Sequence, residues 1–331
     1  MTARMIDKVW TGIFYAVAAA VIGLLMFFFA VVLSKGAGFW QPEFLFGRPS
    51  NTQAGGGIGP QLINSFYMLV VTLLLSVPLS LGAGIYLAEY AKQGRIVGFI
   101  RLCLETMASL PSIVVGLFGL LAFVTLTGWG YTLLGGALAV TIINLPGLTR
   151  ICETAILDVP ANIKEGSLAL GATRWQTLVK AVLPAAIPQI VTGVILSAGR
   201  IFGEAAVFIY TAGLTTPMLR WDADWSSQAN PLNVFRPAET LTVHIWKLNS
   251  EGIVPDAKLI AAKSAAVLMV AVLLFNLAAR LASSLLARHF SGGGARVEDE
   301  EKEAKQRKHK KSCPVSTGSL FIFPVWLMAL P

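Results

Sequence analysis

Six apolar runs divide the chain, and the polar stretches between them set its plan. Trp10 to Leu33 is long enough to cross a hydrocarbon core of about 30 Å. Ser34-Lys35-Gly36 offers a poor cleavage site after it, so the run reads as a first span rather than a signal. Ser34 to Pro60 is rich in Gly, Pro and aromatic residues, includes Gly55-Gly56-Gly57, and is expected to be an external loop. Gln61 to Ala88 is the second span, interrupted by Pro78, Gly82 and Gly84, which membrane helices tolerate when neighbours satisfy the freed backbone. An amphipathic stretch holding Arg95 and Arg101 follows. The third span opens at Leu110-Pro111-Ser112 and runs to about Leu126, where Trp129 and Tyr131 mark an interface. The fourth runs from Thr132 to Leu148, with Pro146 at its exit and Arg150 beyond it. Pro184 to Gly213 is the fifth and is longer than a bilayer needs. A polar, aromatic loop from Leu214 to Asp256 precedes the sixth span, Lys258 to Leu286.

Composition agrees. Of 331 residues 55% are hydrophobic and only 13% charged, against roughly a quarter charged in soluble domains, so this is an all-α integral membrane protein. Its net charge of +8 argues for no nucleic-acid partner, because much of it falls where the positive-inside rule expects it. Arg4, Lys8, Lys92, Arg95, Arg101, Arg150, Lys164, Arg174, Lys180, Arg280 and Arg288 gather on one side if the N-terminus is inside. Six spans with both termini cytoplasmic, in a cell membrane, is the expectation. Cys103, Cys152 and Cys313 lack metal-ligand spacing and are expected to be reduced; no metal site is expected. Residues 1–60 are read as the first span and its loop, 61–290 as the core domain, and 291–331 as a charged, disordered tail. The tail ends in an apolar run from Leu320 to Pro331 that is too short to span.

One cytoplasmic stretch, Glu165 to Pro184, lies between the fourth and fifth spans. Asn162 with Glu165, and Thr173 with Gln176, have capping-box spacing and predict two short helices. Gly171 separates them where the chain must turn. The spacing of Glu165, Gly171 and Leu183-Pro184 resembles the coupling loop of ABC importer permeases, with Gly166 and Ser167 in place of two alanines and Ala181 in place of an isoleucine. The resemblance implies a coupling segment at 150–183, in which Glu165, Gly166, Ser167, Gly171, Ala172, Thr173 and Arg174 face a soluble ATPase.

Arg200 and Glu204 sit near the middle of the fifth span, where an ionised group costs roughly 2.5 to 3.5 kcal/mol on insertion scales. Their i, i+4 spacing predicts one shared helix face and a pair. Such a pair either locks the helix against a neighbour or lines an anion path in which Arg200 offers a planar fork. Asn64 and Asn144 are expected to make interhelical hydrogen bonds, and His244 to be a packing or surface residue.

Ala108 to Gly119, Arg200-x-x-Gly203-Glu204, Leu241 to Trp246 and Gly56 to Pro60 are similar to phosphate-importer permeases of the PstA type. That resemblance covers Met1 to Phe290 and implies a type I ABC importer permease fold of six helices. It also implies inorganic phosphate as substrate and a substrate path at Arg200 and Glu204. The implied partners are a PstC-type permease, a pair of cytoplasmic ATPases and an external phosphate-binding protein. No G-x-x-x-x-G-K-[ST] loop is present, so ATP and Mg are expected on the ATPase subunit and the chain is not expected to be an enzyme by itself. A permease for molybdate or sulfate, or a secondary transporter, stays open as an alternative.

Overall fold

A computed structural model describes residues 3–50, 54–92, 94–252 and 254–290. Cys313, the charged tail and the final apolar run lie outside these residues. All regular structure among the described residues is helical.

The first span is α1 (Ala3–Lys35), whose apolar stretch is exposed within the single chain. The loop after it carries a short helix, α2 (Pro42–Phe46), opened by its own proline. The second span, α3 (Gly59–Ile85), passes straight through Pro78 and runs on into a π-helical segment, Tyr86–Tyr90. Its packing on α6 (Leu133–Leu157) is the central contact of the bundle. Gly84 is the reason the two backbones approach so closely, since a Cβ there would lie 2.6 Å from Cys152 Cβ and 3.0 Å from the Glu153 nitrogen. α6 likewise runs through Pro146, and on past Arg150, because packing on several sides outweighs the lost hydrogen bond.

The third span differs from its prediction. α4 (Arg95–Ala108) meets the rod formed by α5 (Ser112–Gly119) and the π-helical Leu120–Thr125 at 97°. The 8 and 6 residues of that rod reach only about 21 Å, less than a hydrocarbon core. Leu110-Pro111 makes the corner, since Pro111 has extended ψ and cannot continue α4. Among the described residues five helices are long and apolar enough to cross a membrane, and the count reaches six only if the bent pair is taken as one broken span.

After α6 come two short helices, α7 (Ala161–Ala169) and α8 (Arg174–Thr177). α8 continues through a π-helical Leu178–Val182 into α9 (Leu183–Gly203). The fifth span then breaks, and α10 (Ala206–Thr211) is a separate turn. The polar loop contains α11 (Leu241–Ser250), and α12 (Ala257–Phe290) is the last span. Residues up to Leu285 form one compact unit. Three apolar clusters fill it, around Met68, Ile143 and Phe208; around Ile58, Leu241 and Ile260; and around Leu148, Ile156 and Val182.

Candidate functional site: a coupling surface and a translocation face

The segment between α6 and α9 folds as a helix–turn–helix. Its first cap is not the predicted one. Pro160, with φ −54° and ψ 133°, starts α7 without a side-chain cap, and Asn162 falls inside the helix instead of ahead of it. The second cap forms as expected: Thr173 Oγ1 accepts from Gln176 N at 3.3 Å and Gln176 Oε1 accepts from Thr173 N at 2.9 Å. Between the two helices Gly171 turns the chain at φ +84°, a region closed to most residues. Ser167 and Thr177 join their hydroxyls at 3.0 Å and brace α7 against α8.

The outer surface of this hairpin is exposed at Glu165, Gly166, Gly171, Thr173 and Arg174, with Ser167 and Ala172 half-buried. Leu170 at the turn is 91% exposed and Trp175 is 61% exposed, which is unusual for such apolar side chains on a tight polar turn. Neither was singled out from sequence, because an apolar residue shows its importance here only by failing to be buried. On the inner side, Lys164 of α7 pairs with Glu89 in the π-helical end of α3. Glu89, Lys164, Leu168, Arg174, Thr177 and Leu178 line a cavity of about 260 Å³ there. No break separates Arg174 from Gly203, so the second arm of the hairpin is the first part of a spanning rod.

That rod carries Arg200, and the predicted pair with Glu204 does not form. α9 ends at Gly203, Glu204 takes an extended conformation with ψ 126°, and its carboxylate accepts from Val207 N at 3.2 Å. Among the described residues no ion pair joins Arg200 to Glu204. The break removes the i, i+4 relation on which that pair rested, and Glu204 instead starts α10. The carbonyl of Phe202 at the break accepts from Thr242 Oγ1 at 2.6 Å, so the irregular backbone is held by protein. Arg200 is exposed, in line with Ala185, Gln189, Thr192, Leu196 and Gly203. These positions recur every three or four residues and form one largely small and polar stripe on a spanning helix.

At the opposite end of the bundle from the hairpin lies a polar cluster built from the start of α3 and the loop that precedes α12. Arg236 is fully buried and donates to Asn64 Oδ1 at 2.8 Å and to the Pro231 carbonyl at 3.0 Å. Burial pulls its guanidinium down to about 10, so it stays charged at neutral pH. Glu239 accepts from Gln61 Nε2 at 3.0 Å and lies 3.0 Å from His244 Nδ1. His244 is thus a buried member of a polar cluster, in keeping with the packing rather than the surface position expected of it. Asn64 donates to Thr216 Oγ1 and to the Glu239 carbonyl, both in the loop before α11, where bonds to another helix were expected, while the Asn144 amide nitrogen has no partner among the described residues. The weak advance signal was Gln61 and Asn64 one turn apart at the start of an apolar run. Among the described residues no group of three or more His, Cys, Asp or Glu side chains gathers to hold a metal ion.

A bundle of membrane-length helices with an exposed helix–turn–helix feeding one of them is the architecture of a multi-pass helical membrane protein. The chain belongs to the family of binding-protein-dependent transport system inner membrane components, which matches residues 80–292. It is 50% identical over 288 residues to "Probable ABC transporter permease protein YqgI" of Bacillus subtilis (strain 168), covering 86% of this chain and 98% of that protein. "Probable ABC transporter permease protein YqgH" of the same strain is 34% identical over 175 residues, 51% of this chain and 56% of that one. "Phosphate transport system permease protein PstA" of Xylella fastidiosa (strain 9a5c) is 32% identical over 225 residues, 68% of this chain and 74% of that one. The fold is shared with a bacterial ABC transporter involved in the import of the acidic polysaccharide alginate, at a TM-score of 0.58 and 14% identity over 85% of this chain and 97% of the other. It is shared also with the MetNI methionine ABC transporter, at 0.51 and 17% over 70% and 94%. The architecture is that of a type I ABC importer permease, and the chain is a multi-pass membrane subunit.

Proposed function

We propose that the chain is one of two permease subunits of an ATP-driven importer of inorganic phosphate. The observation that carries this reading is Arg200, exposed on the polar stripe of α9 one turn before the helix breaks. A guanidinium left open on a spanning helix is too costly to face lipid and is suited to an oxyanion. The likeness to proteins named for phosphate transport supplies the anion. The stripe then faces a water-accessible path completed by a second, PstC-type permease, and a second permease relative in the same bacterium as the first supports that pairing. The exposed apolar length of α1 supports it too.

Two cytoplasmic ATPase subunits, which hold the ATP and Mg, dock on Glu165, Gly166, Ser167, Gly171, Ala172, Thr173 and Arg174, with Leu170 and Trp175 as apolar anchors. An external phosphate-binding protein delivers the anion to the opposite face. Both termini are cytoplasmic, as the basic residues indicate. A push on the hairpin passes along the rod from Arg174 to Arg200, about 39 Å away, with no break in the helical run between them. Glu204, in this reading, sets the break rather than neutralising Arg200.

The test is labelled phosphate uptake in cells lacking other phosphate importers, with the presumed partners present and Arg200→Gln compared at matched membrane abundance. Uptake by the native chain and its loss in the variant is the expected result. Equal uptake by both removes Arg200 from the path. Uptake by neither, or stronger competition by sulfate or molybdate than by phosphate, overturns the phosphate assignment.

A further inference from the structure

The bend at Leu110-Pro111 places α4 where a spanning helix would not lie. Taking the α5 rod as inserted across the hydrophobic layer, a helix at 97° to it would run along the membrane surface, and the chain enters it just after Glu89, which pairs with Lys164 of the coupling hairpin. Its sequence fits that place. Ile96, Phe99 and Leu102 recur every three residues and are all exposed, giving α4 an uncovered apolar face, while Arg95 is exposed beside them. Amphipathic helices with this division lie in the headgroup layer, apolar side toward the acyl chains.

Behind α4 is a cleft of about 220 Å³, walled by Leu104, Ala108, Pro146 and Gly147 and bordered by Arg150. Its charges are ordered by depth. Glu153 is 2% exposed and already paired, with Arg101 2.6 Å from Oε1. Arg150 reaches Oε2 only at 3.5 Å through one nitrogen and keeps 62% of its side chain exposed. The only other acidic group of the cleft, Glu105, is exposed to solvent at its rim. Most of the Arg150 fork is therefore left to a ligand, at the boundary where hydrocarbon walls meet water.

From this geometry we infer that the cleft between α4 and α6 binds an anionic phospholipid, its headgroup phosphate on Arg150 and the upper part of an acyl chain against Leu104, Ala108, Pro146 and Gly147. The two halves of the cleft ask for an oxyanion and a hydrocarbon on one molecule, and a membrane lipid supplies both at that depth. An anionic headgroup is selected because a zwitterionic lipid brings its own ammonium to compete with Arg150. The lipid then braces α4 against the segment of α6 that leads into the coupling hairpin.

The test uses the full chain with its partners in nanodiscs of phosphatidylcholine alone or with phosphatidylglycerol, reading retained lipid by native mass spectrometry and stability by thermal midpoint. The native protein should keep phosphatidylglycerol over phosphatidylcholine and gain stability from it. Arg150→Gln should weaken retention about tenfold, the size of one lost charge-assisted contact. Gly147→Leu, whose new side chain enters open space, should fold and block retention by filling the cleft. Retention unchanged in both variants overturns the site. Equal retention of phosphatidylcholine overturns the headgroup selection, and displacement of phosphatidylglycerol by millimolar inorganic phosphate makes this a free-anion site instead.

Discussion

Lys164 and Glu89 form the one ion pair among the described residues that ties the coupling hairpin to a spanning helix other than those it joins covalently. Neutralising either partner tests whether it transmits motion. Glu89 keeps 15% of its side chain exposed and Lys164 43%. Fully exposed pairs are worth about 0 to 1 kcal/mol, and breaking a buried one costs about 3 to 5. This pair lies between those limits, at about 1 to 2 kcal/mol. Such a loss changes the balance between two positions of α3 relative to α7 by about 5- to 30-fold. The assay is phosphate imported per ATP hydrolysed by the complete transporter in proteoliposomes, and it rests on the importer reading. Lys164→Met and Glu89→Gln should each lower that ratio while ATP hydrolysis continues. Combining Lys164→Glu with Glu89→Lys should restore most of it. The reasoning is refuted if the single variants keep the native ratio at matched assembly, or if the exchanged pair is as impaired as either single change.

Three further outcomes follow from packing and caps, the first and third read from thermal midpoints of the purified protein and the second from amide exchange. Gly84→Ala should cost about 1 to 3 kcal/mol because its methyl meets the α6 backbone, whereas Gly82→Ala, with nothing within 4 Å, should be neutral or stabilising by up to about 1 kcal/mol. Thr173→Ala should lose about 0.5 to 2 kcal/mol of local stability, seen as faster amide exchange in α8, with Thr173→Ser retaining most of it. Arg236→Met should destabilise by about 2 to 4 kcal/mol, since Asn64 Oδ1 and the Pro231 carbonyl lose their donor inside the protein.

The sequence by itself determined five membrane-length helices, the helix–turn–helix between the fourth and fifth predicted spans, and the turn at Gly171. These rest on local signals: runs of apolar residues long enough for a bilayer, a Thr173–Gln176 capping box, and a glycine where φ must be positive. Local signals survive folding because neighbours along the chain satisfy them. The tertiary structure decided what depended on distant partners. Pro78 was read as an interruption and Pro146 as the exit of a span, yet both helices run on because packing between α3 and α6 outweighs one lost bond each. Arg200 and Glu204 were paired by spacing, yet spacing is only a distance while the helix continues, and the break at Glu204 ended that. Gly82 and Gly84 look alike in sequence; only the position of α6 makes one of them a contact. Arg236 and Glu239 looked like loop charges, and their burial depends on α3 bringing Asn64 and Gln61 to them from more than 170 residues away. Arg150 looked like a residue beyond a span, and it became the edge of a cleft only once Pro111 had turned α4 against α6.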